Sequence, residues 1–393
     1  MGVSAQGKFM KVIAINGFGS VETFRLESRE EPFPKENEVR IRIVAAGFNP
    51  VDWKIRCNCY GGDPKQVLGF DCSGIIDQVG TNIRRFSVGD EVYAMTLCSS
   101  NGSYAQYSCV PEELVEKKPK NLSFNEAAAV PLASMTAYRA TLATSAVKEG
   151  DVVLIIGAGG GVGSFAMQFL KYAKVKTIYT VAKNEESAQF LIRTMGFDRN
   201  HILVYDTLSI EELKERLLQM NNGRFFDATF DFVGGEMKRL CLELTGYSGH
   251  FSTILPEEKF EFHFWGECSI PRGRNLSVHQ VNIGAELADA SRYSMQVYVQ
   301  HLRIITDLLE SETIKPPVIT IIGTFNVKTV QDAHLLLEGR RVKGKLVMEV
   351  MEKETLERIM ESRSHGLTAA TLVTSGISHT VEALFHGKGN RNS

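Results

Sequence analysis

A glycine cluster between an apolar run and a helical pattern is the part of this chain best suited to hold a phosphate group. Residues 151–172 read DVVLIIGAGGGVGSFAMQFLKY, so the run Val152–Ile156 leads directly into the glycines. Glycines let the backbone approach a pyrophosphate closely, and a helix start offers free N–H groups and the positive end of its dipole. A second apolar run, Thr177–Val181, follows at the interval expected of a strand–helix–strand unit. The pattern predicts a dinucleotide site with loop residues Gly157, Gly159, Gly160, Gly161, Val162 and Gly163.

The residue after the second strand indicates which dinucleotide binds. Enzymes that use NAD usually place Asp or Glu there, to hold the 2′-hydroxyl of the ribose. This strand instead ends in Thr180-Val181-Ala182 and is followed by Lys183. A lysine would attract the 2′-phosphate that a carboxylate would repel, so we expect NADPH. A solvated surface lysine is the alternative interpretation of Lys183.

Residues at the ends of two later strands are predicted to line the same site. Asp227–Phe232 and Gly249–Ile254 follow the pattern of the fourth and fifth strands of an alternating strand–helix unit. Ligands of open α/β sheets bind at the carboxyl ends of the strands. The residues predicted at these ends are Val233, Thr253, Ile254 and Leu255.

Composition and charge are those of a globular protein that binds small molecules. The chain has 393 residues, 44% hydrophobic and 23% charged, with a formal net charge of −2. So small a charge leaves no basic field for nucleic acid, and the longest apolar runs are too short to span a bilayer. Seven scattered cysteines favour reduced thiols and hence a cytoplasmic location. Cys57 and Cys59 could form a soft metal clip, but two loop thiols are the simpler interpretation.

The order of β and helical patterns predicts two domains. Residues before 123 contain β-patterned runs with turn residues between them, which indicates a partly closed β-barrel. Ser123 followed by Glu126 is a capping-box signature that predicts a helix start, and a second helical pattern covers Thr136–Ala146. The predicted β-runs are Val12–Ile15, Val39–Val44, Ser73–Val79, Glu91–Met95 and Tyr104–Val110 in the first part, and Val318–Ile322 and Lys345–Val350 near the end.

Two further segments lie outside this pattern. Residues 256–275 are rich in aromatic side chains and are either an irregular cover or a wall of the substrate cleft. After residue 350 a charged helix is expected at Glu352–Arg363, followed by a polar tail with one weak apolar stripe at Val381, Leu384 and Phe385.

Several local strings, in order, make the chain resemble the medium-chain dehydrogenase/reductase superfamily, and within it the zinc-independent quinone oxidoreductases and their enone- and enoyl-reducing relatives. These strings are GFNPVDWKIR (47–56), LGFDCSGIIDQVG (68–80), VGDEVYAM (88–95), PLASMTAYRA (131–140), DFVGG (231–235) and VKGKLVMEV (342–350). The resemblance implies an α/β fold in which a GroES-like, partly closed β-barrel carries the catalytic groups and a Rossmann doubly wound parallel sheet carries the cofactor. The implied domains are 1–131 with 315–350, then 132–314, with 351–393 as a partly disordered helical extension.

The resemblance also argues against a metal. Zinc-dependent members carry Cys where this chain has Asn49 and a His-Glu pair where it has Phe70-Asp71. The first histidine of the chain is His201, so the N-terminal half offers no imidazole ligand. Tetrahedral zinc needs three or four nitrogen or sulfur ligands. We therefore expect no metal site.

The remaining site residues follow from the resemblance. Asn49 would be a polar group beside the nicotinamide, or only a turn residue before Pro50. Tyr60 stands at the spacing at which enoyl reductases of the superfamily carry a proton-donating tyrosine, or it merely lines the cleft. Thr136 would reach the carboxamide or be structural, and Tyr205 would contact the 2′-phosphate or be a core or loop side chain. Lys345 resembles the lysine near the cofactor phosphates, whereas Glu186 replaces a residue that is often basic.

The expected activity is hydride transfer from NADPH to a quinone or an α,β-unsaturated carbonyl compound. Without a Lewis acid the oxidation of an alcohol lacks its usual activator, whereas an already polarised acceptor needs none. Two alternatives remain: an enoyl-thioester reductase that works in trans with a fatty-acid or polyketide synthase, and a catalytically idle NADPH-binding protein. The family also implies a homodimer.

Overall fold

The N-terminal part of the chain forms short antiparallel strands around an apolar core. The computed structural model describes residues 8–96, 102–255, 274–288 and 292–364. The strands of this part are β1 (Phe9–Ile15), β2 (Phe24–Glu30), β3 (Glu38–Gly47), β4 (Asp71–Val79), β5 (Glu91–Met95), β6 (Tyr107–Pro111) and β7 (Val115–Lys117). Its helices are α1 (Pro50–Arg56), α2 (Phe124–Ala127) and α3 (Pro131–Tyr138).

The middle of the chain alternates strands and helices and builds a six-stranded parallel sheet. The strands are β8 (Val152–Ile156), β9 (Thr177–Ala182), β10 (Ile202–Val204), β11 (Phe226–Asp231), β12 (Thr245–Thr253) and β13 (Ser277–Gln280). The helices are α4 (Gly161–Tyr172), α5 (Glu185–Met195), α6 (Ile210–Met220), α7 (Glu236–Leu244), α8 (Ile283–Ala288) and α9 (Arg292–Glu310). The strand order is β10-β9-β8-β11-β12-β13, which is the Rossmann order, and it reverses direction between β8 and β11.

The last strands return to the N-terminal part, as the sequence predicts. They are β14 (Ile319–Thr324) and β15 (Lys345–Glu349), followed by α11 (Lys353–Ser364), with α10 (Val327–Glu338) between the strands. β15 pairs with β3, so the larger sheet runs β14-β15-β3-β4-β5-β7, and β6 pairs with β3. The central strand β3 is buried along almost its whole length. The GroES-like barrel and the Rossmann sheet are therefore both confirmed, whereas the domain boundaries stay a prediction.

Local sequence explains where several helices begin and end. The capping box predicted at Ser123 and Glu126 is present, since the hydroxyl of Ser123 accepts from the N–H of Glu126. The helix expected at Thr136–Ala146 differs: it begins at Pro131, ends at Tyr138 and continues as a π-turn to Ala143. Hydroxyl groups there bond to backbone carbonyls and compete with the regular pattern, as with Thr141 on Ala137.

Some predicted features cannot be compared with the structure. Of the aromatic connection 256–275, residues 256–273 lie outside the described residues, as does the apolar stripe Val381, Leu384 and Phe385. The charged helix expected at Glu352–Arg363 is α11. None of the described helices is both long enough and apolar enough to traverse a bilayer. β2 was not predicted, because four of its seven residues are charged.

Candidate active site

The glycine loop combines a residue at positive φ with a close approach of helix to loop. Gly157 has φ of +93°, which favours glycine, and it leads from β8 toward α4, which begins at Gly161. A Cβ on Gly163 would lie 2.1 Å from the carbonyl oxygen of Gly157, so only glycine lets α4 pack this closely against the loop. The N-terminus of α4 thus opens directly onto the carboxyl end of β8. This backbone fits a dinucleotide diphosphate.

A backbone contact joins the glycine loop to the barrel. The N–H of Gly344 donates to the carbonyl of Gly159 at 3.0 Å, and Gly344 forms an isolated bridge with Gly160. The stem of the next residue, Lys345, crosses the helix start, since a Cβ on Gly161 would lie 2.8 Å from its Cδ. The start of β15 therefore touches the cofactor loop on one side and continues into the barrel on the other.

A buried carboxylate shapes the cleft wall opposite the glycine loop. Oδ1 of Asp231 accepts from the N–H groups of Val233 and Gly234, at 3.0 and 2.8 Å. Its Oδ2 accepts from the hydroxyl of Thr253 at 3.0 Å. The ammonium of Lys238 donates to the carbonyl of Leu255 at 2.8 Å.

The predicted residues after β11 and β12 are thus held together where the strand order reverses. Ile254 lies between Thr253 and Leu255, just after β12. Sequence reasoning missed Asp231, although it opens the DFVGG string.

Lys183 and Tyr205 lie together at the outer end of the cleft. Both line a cavity of about 1180 Å³ beside α6 and α7, and the N–H of Tyr205 donates to the carbonyl of Ala182, next to Lys183. Burial raises the pKa of Tyr205, and the charge of Arg340 acts in the opposite direction. Arg340, in the segment before β15, thus contributes to the electrostatic environment of Tyr205.

Glu186, which is acidic where family members often have a basic residue, forms an ion pair with a residue that is distant in the sequence. Its carboxylate lies 2.6 Å from the ammonium of Lys343, which lies over the ring of Phe190. The hydrogen bond from Lys343 lowers the pKa of Glu186. The pairing of Lys343 with α5 was not predicted, because the two residues lie more than 150 positions apart in the chain.

A buried polar network lies between the two parts of the chain. Asn49 caps α1, and its Nδ2 donates to Oδ2 of Asp71, the first residue of β4, at 2.8 Å. Nζ of Lys345 donates to Oδ1 of Asn49 at 2.6 Å, to Oδ2 of Asp71 at 2.9 Å and to the carbonyl of Phe48 at 2.9 Å. Asn49, Asp71 and Lys345 are all buried.

This network fixes the carboxamide of Asn49. A carboxylate can only accept and an ammonium can only donate, so Nδ2 must face Asp71 and Oδ1 must face Lys345. The three donors of the ammonium already have three acceptors. A hydrogen bond from Nζ to a cofactor phosphate would require one of these three bonds to break. The role at the phosphates predicted for Lys345 therefore stays a prediction, and the present partners of the side chain do not favour it.

Asp52 is a fourth buried group beside this network. Its Oδ2 accepts from the backbone N–H of Asn49 at 2.7 Å, and its Oδ1 accepts from Gly69 at 3.2 Å. Burial raises the pKa of Asp52 to about 7, while the bond from Asn49 and the charge of Lys345 oppose the rise. The carboxyl group therefore changes its charge in the neutral range.

Two predicted residues lie apart from these contacts. Tyr60 follows α1 and is 44% exposed, and burial raises the pKa of its phenol, so the hydroxyl keeps its proton at neutral pH. Thr136 lies on α3, and its hydroxyl donates to the carbonyl of Leu132 at 2.7 Å. That bond leaves the hydroxyl oxygen only as an acceptor.

Metal-binding potential is low in the part of the chain that is described. Within the described ranges no three or more His, Cys, Asp or Glu side chains converge on a point suitable for a metal ion. Cys57, Cys59, Cys72, Cys109 and Cys241 are all free thiols.

Comparisons with known proteins agree with this architecture. Residues 35–120 match the family model described as alcohol dehydrogenase GroES-like domain, and residues 197–348 match the one described as zinc-binding dehydrogenase. The chain is 32% identical over 353 residues to 2-methylene-furan-3-one reductase of Solanum lycopersicum, which covers 86% of this chain and 79% of that protein. It is 36% identical over 181 residues to quinone oxidoreductase of Lama guanicoe, covering 45% and 54%.

A solved structure shows the same fold. CurK enoyl reductase superposes with a TM-score of 0.75 at 21% identity, covering 87% of this chain and 99% of that one. The family is shown by the Solanum relative, which is 32% identical over most of this chain, and by the two family models that match it. The chain, with its glycine loop at the strand reversal and its GroES-like barrel, therefore belongs to the medium-chain dehydrogenase/reductase superfamily of nicotinamide-dependent oxidoreductases.

Proposed function

We propose that the protein is a zinc-independent, NADPH-dependent reductase of quinones or α,β-unsaturated carbonyl compounds. The observation that carries this proposal is the ion pair between Lys345 and Asp71 with Asn49 between them. Asn49 and Asp71 stand where the resemblance places ligands of the zinc-dependent members, and here an ammonium is bonded to both of them instead. The names of the Solanum and Lama relatives, a furanone reductase and a quinone oxidoreductase, support the same class of acceptor.

The cofactor preference rests on charge at the outer end of the cleft. Lys183 follows β9 with no carboxylate in its place, Tyr205 lines the same cavity, and the charge of Arg340 acts on Tyr205. Glu186 does not oppose a 2′-phosphate at full strength, because Lys343 is paired with it. These residues would hold the extra phosphate that distinguishes NADPH from NADH.

The chemistry divides between cofactor and protein. When bound, the reduced nicotinamide supplies the hydride. Asn49, with its carboxamide orientation fixed, would line the ring, and Val233, Thr253, Ile254 and Leu255 would form the facing wall. Tyr60 keeps its phenolic proton at neutral pH and is 44% exposed, so it could donate a hydrogen bond or a proton to the acceptor oxygen.

A binding and turnover experiment tests the proposal. NADPH and NADH would be titrated by fluorescence, and oxidation of the bound cofactor would then be followed with quinones, enones and simple alcohols as partners. Tighter binding of NADPH, turnover of quinones or enones, and unchanged activity after chelation would agree. Alcohol oxidation that depends on bound zinc would refute it, and tight NADPH binding without any turnover would favour an idle binding protein.

A second candidate is an enoyl-thioester reductase that serves a synthase in trans. The fold likeness to CurK enoyl reductase favours it, and so does the exposed tyrosine after α1. Comparing enoyl thioesters of coenzyme A or pantetheine with free enones separates the two. A strong preference for the thioester would favour the second candidate.

We also infer a cytoplasmic homodimer. Among the described strands β13 is at the edge of the Rossmann sheet, and Val278 on it is 47% exposed, so this edge could pair with a second copy. The five described cysteines are reduced, as a cytosol would keep them. Light scattering of the purified protein measures its mass, and a monomer at micromolar concentration would contradict the inferred dimer.

A further inference from the structure

A line of buried polar groups leads away from Asn49 into the barrel. The hydroxyl of Tyr104 hydrogen-bonds to the carboxyl group of Asp52. On its other side the same hydroxyl lies 3.2 Å from Nε2 of His334, on α10. Asp52, Tyr104 and His334 are each fully buried. Three titratable side chains are thus connected end to end without contact with solvent.

The direction of these hydrogen bonds follows from His334. Burial lowers the pKa of this histidine well below its ordinary value, and the charge of Arg56 lowers it further, so the ring is neutral and carries one N–H. In the described structure Nδ1 is buried and has no hydrogen-bond partner. A proton on Nδ1 would be an unsatisfied buried donor, which is costly, so the proton belongs on Nε2. His334 then donates to Tyr104, and Tyr104 donates its only proton to Asp52.

The packing around the line holds it in this arrangement. The ring of His334 meets Phe24 edge-on, with centroids 4.8 Å apart, and that of Tyr104 lies 5.1 Å from Phe48. The guanidinium of Arg56 is 1% exposed and is bonded to Gly19 and Glu338. Neither ring can turn to another polar partner without opening this aromatic cluster.

We propose that Tyr104 and His334 are positioning residues for Asn49, acting through the carboxyl group of Asp52. That carboxyl accepts the N–H of Asn49 at 2.7 Å. Each further donor to Asp52 favours its charged form, which is the stronger acceptor. The line thereby holds Asn49, the residue that caps α1, together with its carboxamide. These contacts do not depend on the proposed function. Only the statement that they assist catalysis rests on it.

Charged groups from two other strands also face Asp52. Lys345 on β15 favours its charged form, and Asp71 on β4 disfavours it. Removing the hydroxyl of Tyr104 leaves both unchanged. The effect of that single donor can therefore be separated from the effect of the ion pair.

The test follows the backbone amide of Asn49 by ¹⁵N–¹H NMR of the full chain between pH 5 and 9. The wild-type signal should titrate with a midpoint near 7, because the amide donates to Asp52. In Tyr104→Phe the carboxylate loses a donor, so the midpoint should move to higher pH. Tyr93→Phe is the matched control: Tyr93, on β5, is equally buried, and its hydroxyl bonds to Thr306 at 2.8 Å instead. Its midpoint should equal that of the wild type.

His334→Phe provides a second variant if Tyr104→Phe does not fold. It keeps an aromatic ring in the cluster and removes the N–H that supports Tyr104, so a smaller upward movement is expected. A signal of Asn49 that does not titrate, or equal midpoints in Tyr104→Phe and wild type, would overturn the proposal. The NMR result does not depend on turnover, so it is distinct from a failure of the proposed activity.

A kinetic measurement then separates positioning from general loss of structure. With an accepted quinone or enone, Tyr104→Phe should lower kcat about tenfold while the Kd for NADPH changes less than about twofold. In a plot of kcat against pH, the acidic limb should move to higher pH, as the NMR midpoint does. Equal losses in kcat and in NADPH affinity would indicate a merely structural role for Tyr104.

Discussion

Lys345 and Asn49 lie 296 positions apart in the chain, yet Nζ of one is 2.6 Å from Oδ1 of the other. The lysine opens the last strand of the barrel sheet, and the asparagine begins the helix after its central strand. Because the stem of Lys345 also passes Gly161, one side chain contacts both the cofactor loop and the group predicted to face the nicotinamide.

Lys345→Met should destabilise the protein strongly. The variant leaves the carboxylate of Asp71 buried and without its cation, which typically costs about 3–5 kcal/mol. Lys328→Met is the control, since it breaks only an exposed pair with Asp332 worth at most about 1 kcal/mol. Urea unfolding measures both. Similar midpoints for the two variants would show that the buried pair contributes little.

Lys183→Glu should reverse the cofactor preference. Replacing a cation with a carboxylate beside the 2′-phosphate should weaken NADPH binding by about tenfold or more, at the scale of a charge-assisted hydrogen bond, and leave NADH binding nearly unchanged. Lys176→Glu makes the same charge change at the opposite end of β9. Fluorescence titration of wild type and both variants gives the six dissociation constants, and Lys176→Glu should keep those of the wild type. If Lys183→Glu still prefers NADPH as the wild type does, Lys183 does not contribute to binding of the 2′-phosphate.

Gly163→Ala should disrupt the glycine loop. Its new methyl carbon would lie 2.1 Å from the carbonyl oxygen of Gly157, so α4 must move, and overpacking of this kind costs about 1–3 kcal/mol. At Gly160 a Cβ would lie 3.6 Å from the nearest atom, an ordinary contact. Thermal unfolding should therefore show a clear loss for Gly163→Ala and little change for Gly160→Ala. The reverse order would mean that the close approach of helix and loop is not needed for stability.

The pH dependence of stability should reveal Asp52. A carboxyl whose pKa is raised in the folded chain stabilises the fold at low pH, and this contribution is lost as pH rises through the folded pKa. Here the pKa rises from 3.8 to about 7, so wild type should lose stability relative to Asp52→Asn between about pH 4 and 7. Unfolding free energies of both proteins across this range give the difference. Two parallel curves would contradict the raised pKa.

Local patterns in the sequence were sufficient for the cofactor sheet. The run Val152–Ile156, the glycines and α4 follow one another in the chain, so backbone sterics and hydrophobic periodicity describe them without knowledge of the fold. The capping box likewise depends on two residues three positions apart, Ser123 and Glu126. The alternation that follows predicted the parallel sheet, and the structure has it in Rossmann order.

Side chains that meet across the fold were not predictable in the same way. The ammonium of Lys345 is directed to Asn49 and Asp71, although the resemblance suggested the phosphates. These contacts join residues more than a hundred positions apart. No periodicity links such positions, and only the packing of β15 against β3 brings them together.

The sequence by itself determined that this chain has a Rossmann sheet, a barrel and a dinucleotide loop, because each depends on neighbouring residues. Only the tertiary structure decided which charges face one another in the cleft. Burial removes water from Asp52, Asp71 and Lys345, so their energies depend on the groups that the fold places within a few ångströms. Those distances are a property of the packed chain and not of any segment of it.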